Sequence, residues 1–200
     1  MTIATSSPPI LATEQRFVFP ILMSWEQFKA LDVLLGKTRS VRLAYLDGRV
    51  EIMTLSAEHE TIKCLLALLL GLFFLEKDIS FTPTGSATLE AAEKGTSKEP
   101  DLSYRFGEER RQKDSPDLAI EIVFTSGGLN VLEYYRRFEV SEVWFWEDGV
   151  FSLYHLQAGG YQQIEQSDLL PDLDLALLSQ CLQMSEEKEA LKFFRASIRN

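Results

Sequence analysis

Asp101 and Glu121 are the residues whose types and positions best lend themselves to chemistry. Asp101 follows a proline in the run Glu99-Pro100-Asp101-Leu102-Ser103-Tyr104. Proline pushes the residue before it toward extended geometry and is tolerated at the start of a strand, so Asp101 is predicted to open a short strand. Glu121 lies in Asp117-Leu118-Ala119-Ile120-Glu121-Ile122-Val123-Phe124. Side chains alternate along a strand, which puts Leu118, Ile120, Ile122 and Phe124 on one apolar face and Glu121 on the other with Asp117, Ala119 and Val123. A carboxylate inside such a strand costs on the order of several kcal/mol unless it is paired, protonated or bound to a metal. A salt bridge is the structural alternative for Glu121, and local amide hydrogen bonds are the alternative for Asp101.

A second polar group opens the longest apolar segment. Glu58, His59, Glu60 and Lys63 make up the polar first turn of a helix predicted from Ala57 to Lys77. Acidic residues are favoured at a helix N-terminus by the macrodipole, which is the structural reading of Glu58. His59 has the chemistry to bind phosphate or shuttle a proton, and equally to act as a structural hydrogen bonder. The chain has no Gly-rich phosphate loop and no Ser nucleophile elbow, and its only other histidine, His155, falls in a predicted hairpin strand. Cys64 and Cys181 are too few for a disulfide framework or zinc finger and read as buried packing thiols.

The elements that must position these groups follow from periodicity and turn chemistry. Ser24 with Gln27 fits a capping box ahead of a helix over 24–36. Asp47-Gly48 links two strands as a tight hairpin, and Glu147-Asp148-Gly149 does the same for a second one. A strand is expected at 80–89, a charged loop at 90–98, a turn at Gly127-Gly128, a helix over 129–138, a strand at 161–164 and helices over 174–198. Trp144 and Trp146 read as core residues, with a homodimer interface as the alternative. Residues 1–15, rich in Ser, Thr, Pro and Ala, are expected to form a flexible arm, leaving 16–200 as one domain.

Composition narrows the function classes. With 200 residues and 46% hydrophobic content the chain can build one core. Its net charge of −10 argues against a protein coated in nucleic acid, so any contact with phosphates needs a local basic patch. Lys37, Arg39 and Arg42, the Arg110, Arg111 and Lys113 group, and Arg136 with Arg137 are the patches on offer. The apolar run is too short to span a bilayer, no basic-then-apolar leader is visible at the N-terminus, and the cytoplasm is the expected location.

Taken in order, Asp47-Gly48, Met53, Glu58-His59-Glu60, Glu99-Pro100-Asp101, Asp117-Leu118-Ala119-Ile120-Glu121 and Val140-Ser141-Glu142-Val143-Trp144 resemble the Uma-two family of restriction endonucleases, within the PD-(D/E)xK nuclease superfamily. The resemblance implies an α/β fold with a restriction-endonuclease-like core, a mixed central β-sheet flanked by helices, preceded by an N-terminal helix and β-hairpin. It also implies a DNA endonuclease whose Mg²⁺ (or Mn²⁺) is held by Asp101, Glu121 and Glu58, with His59 beside them. Mg²⁺ takes one or two carboxylates in octahedral oxygen coordination, and a metal so held activates water and neutralises phosphate charge. The superfamily lysine is absent, since Val123 stands two residues after Glu121 and the Asp-Lys-Leu pattern of the next helix is Asn130-Val131-Leu132. Low activity follows, or a degenerate nuclease fold that binds nucleic acid or protein without cutting. Lys63, Lys98 and Arg136 are the cations able to substitute, though solvated surface is the ordinary place for each.

Overall fold

The computed structural model describes residues 14–35, 41–124 and 130–199. Residues 1–13 of the expected arm, Lys37, Arg39 and the Gly127-Gly128 turn lie outside the described residues. Two sheets make up the strand framework. The first has the order β1-β3-β2-β6-β5, built from β1 (Gln15–Val18), β2 (Val41–Leu46), β3 (Arg49–Thr54), β5 (Leu89–Ala91) and β6 (Thr96–Lys98), all antiparallel. The second has the order β11-β10-β9-β8-β7-β4, built from β4 (Phe81–Pro83), β7 (Leu102–Phe106), β8 (Leu118–Val123), β9 (Glu142–Glu147), β10 (Val150–Gln157) and β11 (Gly160–Ile164). This sheet is mixed, because β8 and β9 run parallel while their neighbours are antiparallel. Parallel strands need a crossover, and α3 (Val131–Arg137) supplies it.

Both hairpins form where Asp-Gly pairs allow them: Asp47 and Gly48 take φ of 47° and 86°, and Asp148 and Gly149 take 49° and 80°. The predicted strand at 80–89 is broken into β4 and β5, and the expected charged loop contains β6, which Gly95 (φ 61°) turns back against β5. β6 pairs with β2 through Tyr45↔Ser97 and Leu46↔Thr96, and this long-range pairing carries Lys98 into the interior.

The main core lies between the second sheet and a layer of helices, α2 (Ala57–Glu76), α4 (Leu175–Leu182) and α5 (Glu187–Ile198). Leu118, Ile120 and Ile122 face this layer with Trp144 and Trp146, so both tryptophans are core residues. The opposite face of β8 presents Ala119 to Tyr135, Phe138 and Val140 around α3. α1 (Trp25–Leu35) packs Phe28 against Leu43, Tyr45 and Val50 of the first sheet. Cys181 is buried as expected, whereas Cys64 is exposed, since the packing of α2 turns Leu65, Leu66 and Leu69 inward. Among the described residues, no helix is long and apolar enough to cross a membrane.

Candidate functional site

Strands β7 and β8 pair with Leu102 opposite Ile120 and Ser103 opposite Ala119. Carried one step further, this register sets Asp101 across from Glu121. Both are buried, at 4% and 2% exposure. Asp101 Oδ2 accepts the Ile122 backbone N–H at 2.8 Å, which fixes the carboxylate against β8. Glu121 Oε1 accepts the Tyr135 hydroxyl from α3 and lies 3.1 Å from Lys98 Nζ on β6. These contacts orient the two carboxylates.

Lys98 is 6% exposed, so the expectation of a solvated surface cation is corrected for this residue. Its ammonium lies beside Glu121, whereas the positions two residues after Glu121 and in α3 are Val123 and Val131. Lys63 instead pairs with Glu60 at 2.7 Å, and Arg136 pairs with Glu133 at 2.7 Å on the exposed side of α3. Val131 packs beside the Ala119 and Tyr135 cluster.

His59 enters from the start of α2, whose N-cap Ser56 accepts the His59 backbone N–H at 3.1 Å. Its imidazole is wholly buried, with Nε2 3.2 Å from Asp101 Oδ2 and 4.0 Å from Glu14 Oε2, and Nδ1 3.7 Å from Glu60 Oε1. Glu14, just before β1, is 6% exposed, and Arg16 Nε lies 3.7 Å from its Oε1. Glu58 stands on the outer side of the same helical turn, exposed to solvent. The structure therefore brings Asp101, Glu121 and His59 together and leaves Glu58 outside, with Glu14 as the further acidic residue at the site.

The electrostatics reflect this crowding. Burial pushes Glu121 up, the Lys98 charge opposes that and the Asp101 charge adds to it, and the balance keeps its carboxyl above the usual range. Burial acts on Asp101 in the same sense, but the His59 contact and charge, the Ile122 N–H and Lys98 outweigh it and hold this carboxyl below its ordinary value. Burial would depress His59, yet Asp101, Glu14 and Glu60 prevail and raise it. Glu14 is raised mainly by burial. Two buried carboxylates facing each other across adjacent strands, one of them harder to ionise than an ordinary glutamate, are a donor set that suits a hard divalent cation.

The family model Uma2, "Putative restriction endonuclease", matches residues 25–186. The chain belongs to this family. Uma2 lies in the restriction-endonuclease-like superfamily, whose members generally use divalent metal ions, and the α/β architecture with its mixed sheet and flanking helices agrees with that fold. No curated protein matches the chain. The Uma2 match contains His59, Lys98, Asp101, Glu121 and Tyr135, whereas β1 with Glu14 precedes it.

Sequence reasoning missed Glu14, which falls in the expected arm, and Tyr135, which looks like one aromatic among several. It also passed over a second convergence, in which Glu142, His155 and Asp168 bring one ligand atom each within 4.8 Å of one another. The Glu142 carboxylate there already accepts four hydrogen bonds: from Asp168 N at 2.7 Å, Leu169 N at 3.0 Å, Ser167 Oγ at 2.7 Å and Trp144 Nε1 at 2.9 Å. Glu142 acts as a clamp on the 167–170 turn.

Proposed function

We propose that this Uma2 protein is a divalent-cation-dependent endonuclease that hydrolyses DNA phosphodiester bonds, with Asp101 and Glu121 holding the ion. The observation that carries the reading is the pair of buried carboxylates on adjoining strands with Lys98 set against one of them. A bound Mg²⁺ or Mn²⁺ would supply an activated water and charge neutralisation at the scissile phosphate. Tyr135 donates to Glu121 Oε1 and fixes that carboxylate, and the Ile122 N–H does the same for Asp101. Lys98 carries the positive charge that Val123 and Val131 lack; its ammonium is in place to stabilise charge developing on the phosphate. Losing one such contact typically costs about 10²–10³ in rate, by analogy with oxyanion-hole donors.

The test is plasmid nicking in Mg²⁺ or Mn²⁺ by wild type, Glu121→Ala and Lys98→Met. Wild type nicks, Glu121→Ala is inactive, and Lys98→Met falls by about 10²–10³. Equal nicking by wild type and Glu121→Ala would discard the reading. DNA binding without any cleavage would instead support a degenerate nuclease fold that serves as a binding module.

A further inference from the structure

Helix α2 is free of charge along its outer side as well as its inner one. Leu65, Leu66, Leu69, Leu70, Phe73 and Phe74 face the core. On the outer side Thr61, Cys64, Leu68, Gly71 and Leu75 recur at alternating spacings of three and four, the repeat of a helix seam. Leu68 is 56% and Leu75 73% exposed, and Thr61 and Cys64 are exposed with them. A helix apolar around its circumference is normally buried on every side, yet among the described residues no element covers Leu68 or Leu75. Gly71 is a second anomaly. Glycine is a poor helix former, and a Cβ placed there meets nothing within 4 Å, so no contact inside the chain calls for the missing side chain.

We infer that a second copy of the chain docks on this face, the two α2 helices lying antiparallel about a two-fold axis that passes between Leu68 and Gly71. Leu75 of each copy then fills the groove of about 330 Å³ that Thr61, Cys64, Leu65 and Leu68 form on the other, edged by Glu60 and Glu187. Each Leu68 comes to rest over the other copy's Gly71, where the absent side chain lets the backbones approach. Charge selects this direction. At the start of α2, Glu58, Glu60, Glu186 and Glu187 outnumber Lys63 and Lys188. At its end, Lys77, Arg195 and Arg199 outnumber Glu76, which both arginines share, and Asp78. An antiparallel pair sets the acidic end of each copy against the basic end of the other, the self-complementarity that a two-fold interface requires. The inference does not rest on the nuclease reading.

The full-length protein is followed by sedimentation equilibrium between about 1 and 500 µM, the range over which small interfaces dissociate. Its mass rises with concentration toward that of two chains. Leu68→Glu sets two like charges against each other across the axis and weakens association by more than about 100-fold, at an exposed position where the fold bears the change. Leu75→Cys tests the register. The new thiol lies beside the partner's Cys64, whereas within one chain the two are about 16 Å apart along the helix, too far for a disulfide. Mild oxidation of this variant therefore gives a covalent dimer whose peptide map joins Cys64 to position 75. The wild type gives none, because Cys64 and its copy are about 17 Å apart. A wild type that stays monomeric throughout the range overturns the inference, whether or not the face takes up lipid vesicles or another protein. So does a map that joins Cys64 to Cys64, which requires parallel helices, or a Leu68→Glu variant that associates as well as the wild type.

Discussion

Glu121 and Glu142 sit on neighbouring parallel strands, at 2% and 0% exposure, and are equally deep in the protein. Their surroundings differ in kind. The hydrogen bonds to Glu142 come from its own strand and from one short turn, two of them from backbone amides, so the buried charge is answered by donors close at hand. Glu121 is met by Lys98 from β6 and Tyr135 from α3, and it faces a second buried carboxylate across the strand. A like charge at close range raises the cost of ionisation, and nothing about folding calls for Asp101 and Glu121 to be placed together. Burial alone therefore does not mark a site. A buried acid answered by local donors secures a loop, and one set against another acid is poised for a ligand.

The contrast is expected to be largest at Glu142. Glu142→Ala strips the acceptor from the Trp144 indole, the Ser167 hydroxyl and two amides, at a cost of about 3 kcal/mol or more. For a chain of this size that is a fall in Tm of roughly 6–12 °C, read by calorimetry. Mn²⁺ binding by the folded fraction should be unchanged. A loss of Mn²⁺ affinity with Tm preserved would exchange the roles of the two glutamates.

A smaller effect separates a charge pair from a clamp. Lys98→Met leaves Glu121 buried without its cation and is expected to cost roughly 2–3 kcal/mol, limited because the carboxyl takes up a proton. Adding Glu121→Gln removes the charge that Lys98 answered, and the double variant should return to within about 1 kcal/mol of wild type by urea denaturation. No equivalent rescue exists for Glu142, whose amide donors cannot be deleted. A double variant no more stable than Lys98→Met alone would show that Lys98 and Glu121 are not a coupled unit.

The legible part of this molecule is the part set by local pattern. Asp-Gly turns fixed both hairpins, alternation fixed the two faces of β8, and length with apolar content fixed α2. The phase of α2 was not legible. A helix apolar around most of its circumference has no strong moment to say which side faces in, so Glu58 and His59 were both plausible site residues. Packing turned His59 inward and left Glu58 and Cys64 outside. Lys98 and Glu14 were illegible for another reason: each is buried by a strand pairing distant in sequence, β6 on β2 and β1 on β3.

The smallest expected difference comes from removing one hydroxyl from each glutamate. Ser167→Ala takes one of four donors from Glu142 and also the acceptor of the Leu170 N–H at 2.9 Å. It should cost about 1–2 kcal/mol and leave metal binding and nicking unchanged, because the remaining three donors keep the carboxylate in place. Tyr135→Phe removes the hydroxyl that fixes Glu121 Oε1, at a similar cost of about 1 kcal/mol. Here the carboxylate has only Lys98 left to orient it, so Mn²⁺ affinity and nicking should both change, by about 10–100-fold for a group that orients a metal ligand. Equal stability losses with unequal functional losses would locate the work of the site at Glu121. If Tyr135→Phe behaves like Ser167→Ala in both assays, Tyr135 is a packing residue and Glu121 is oriented by Lys98 alone.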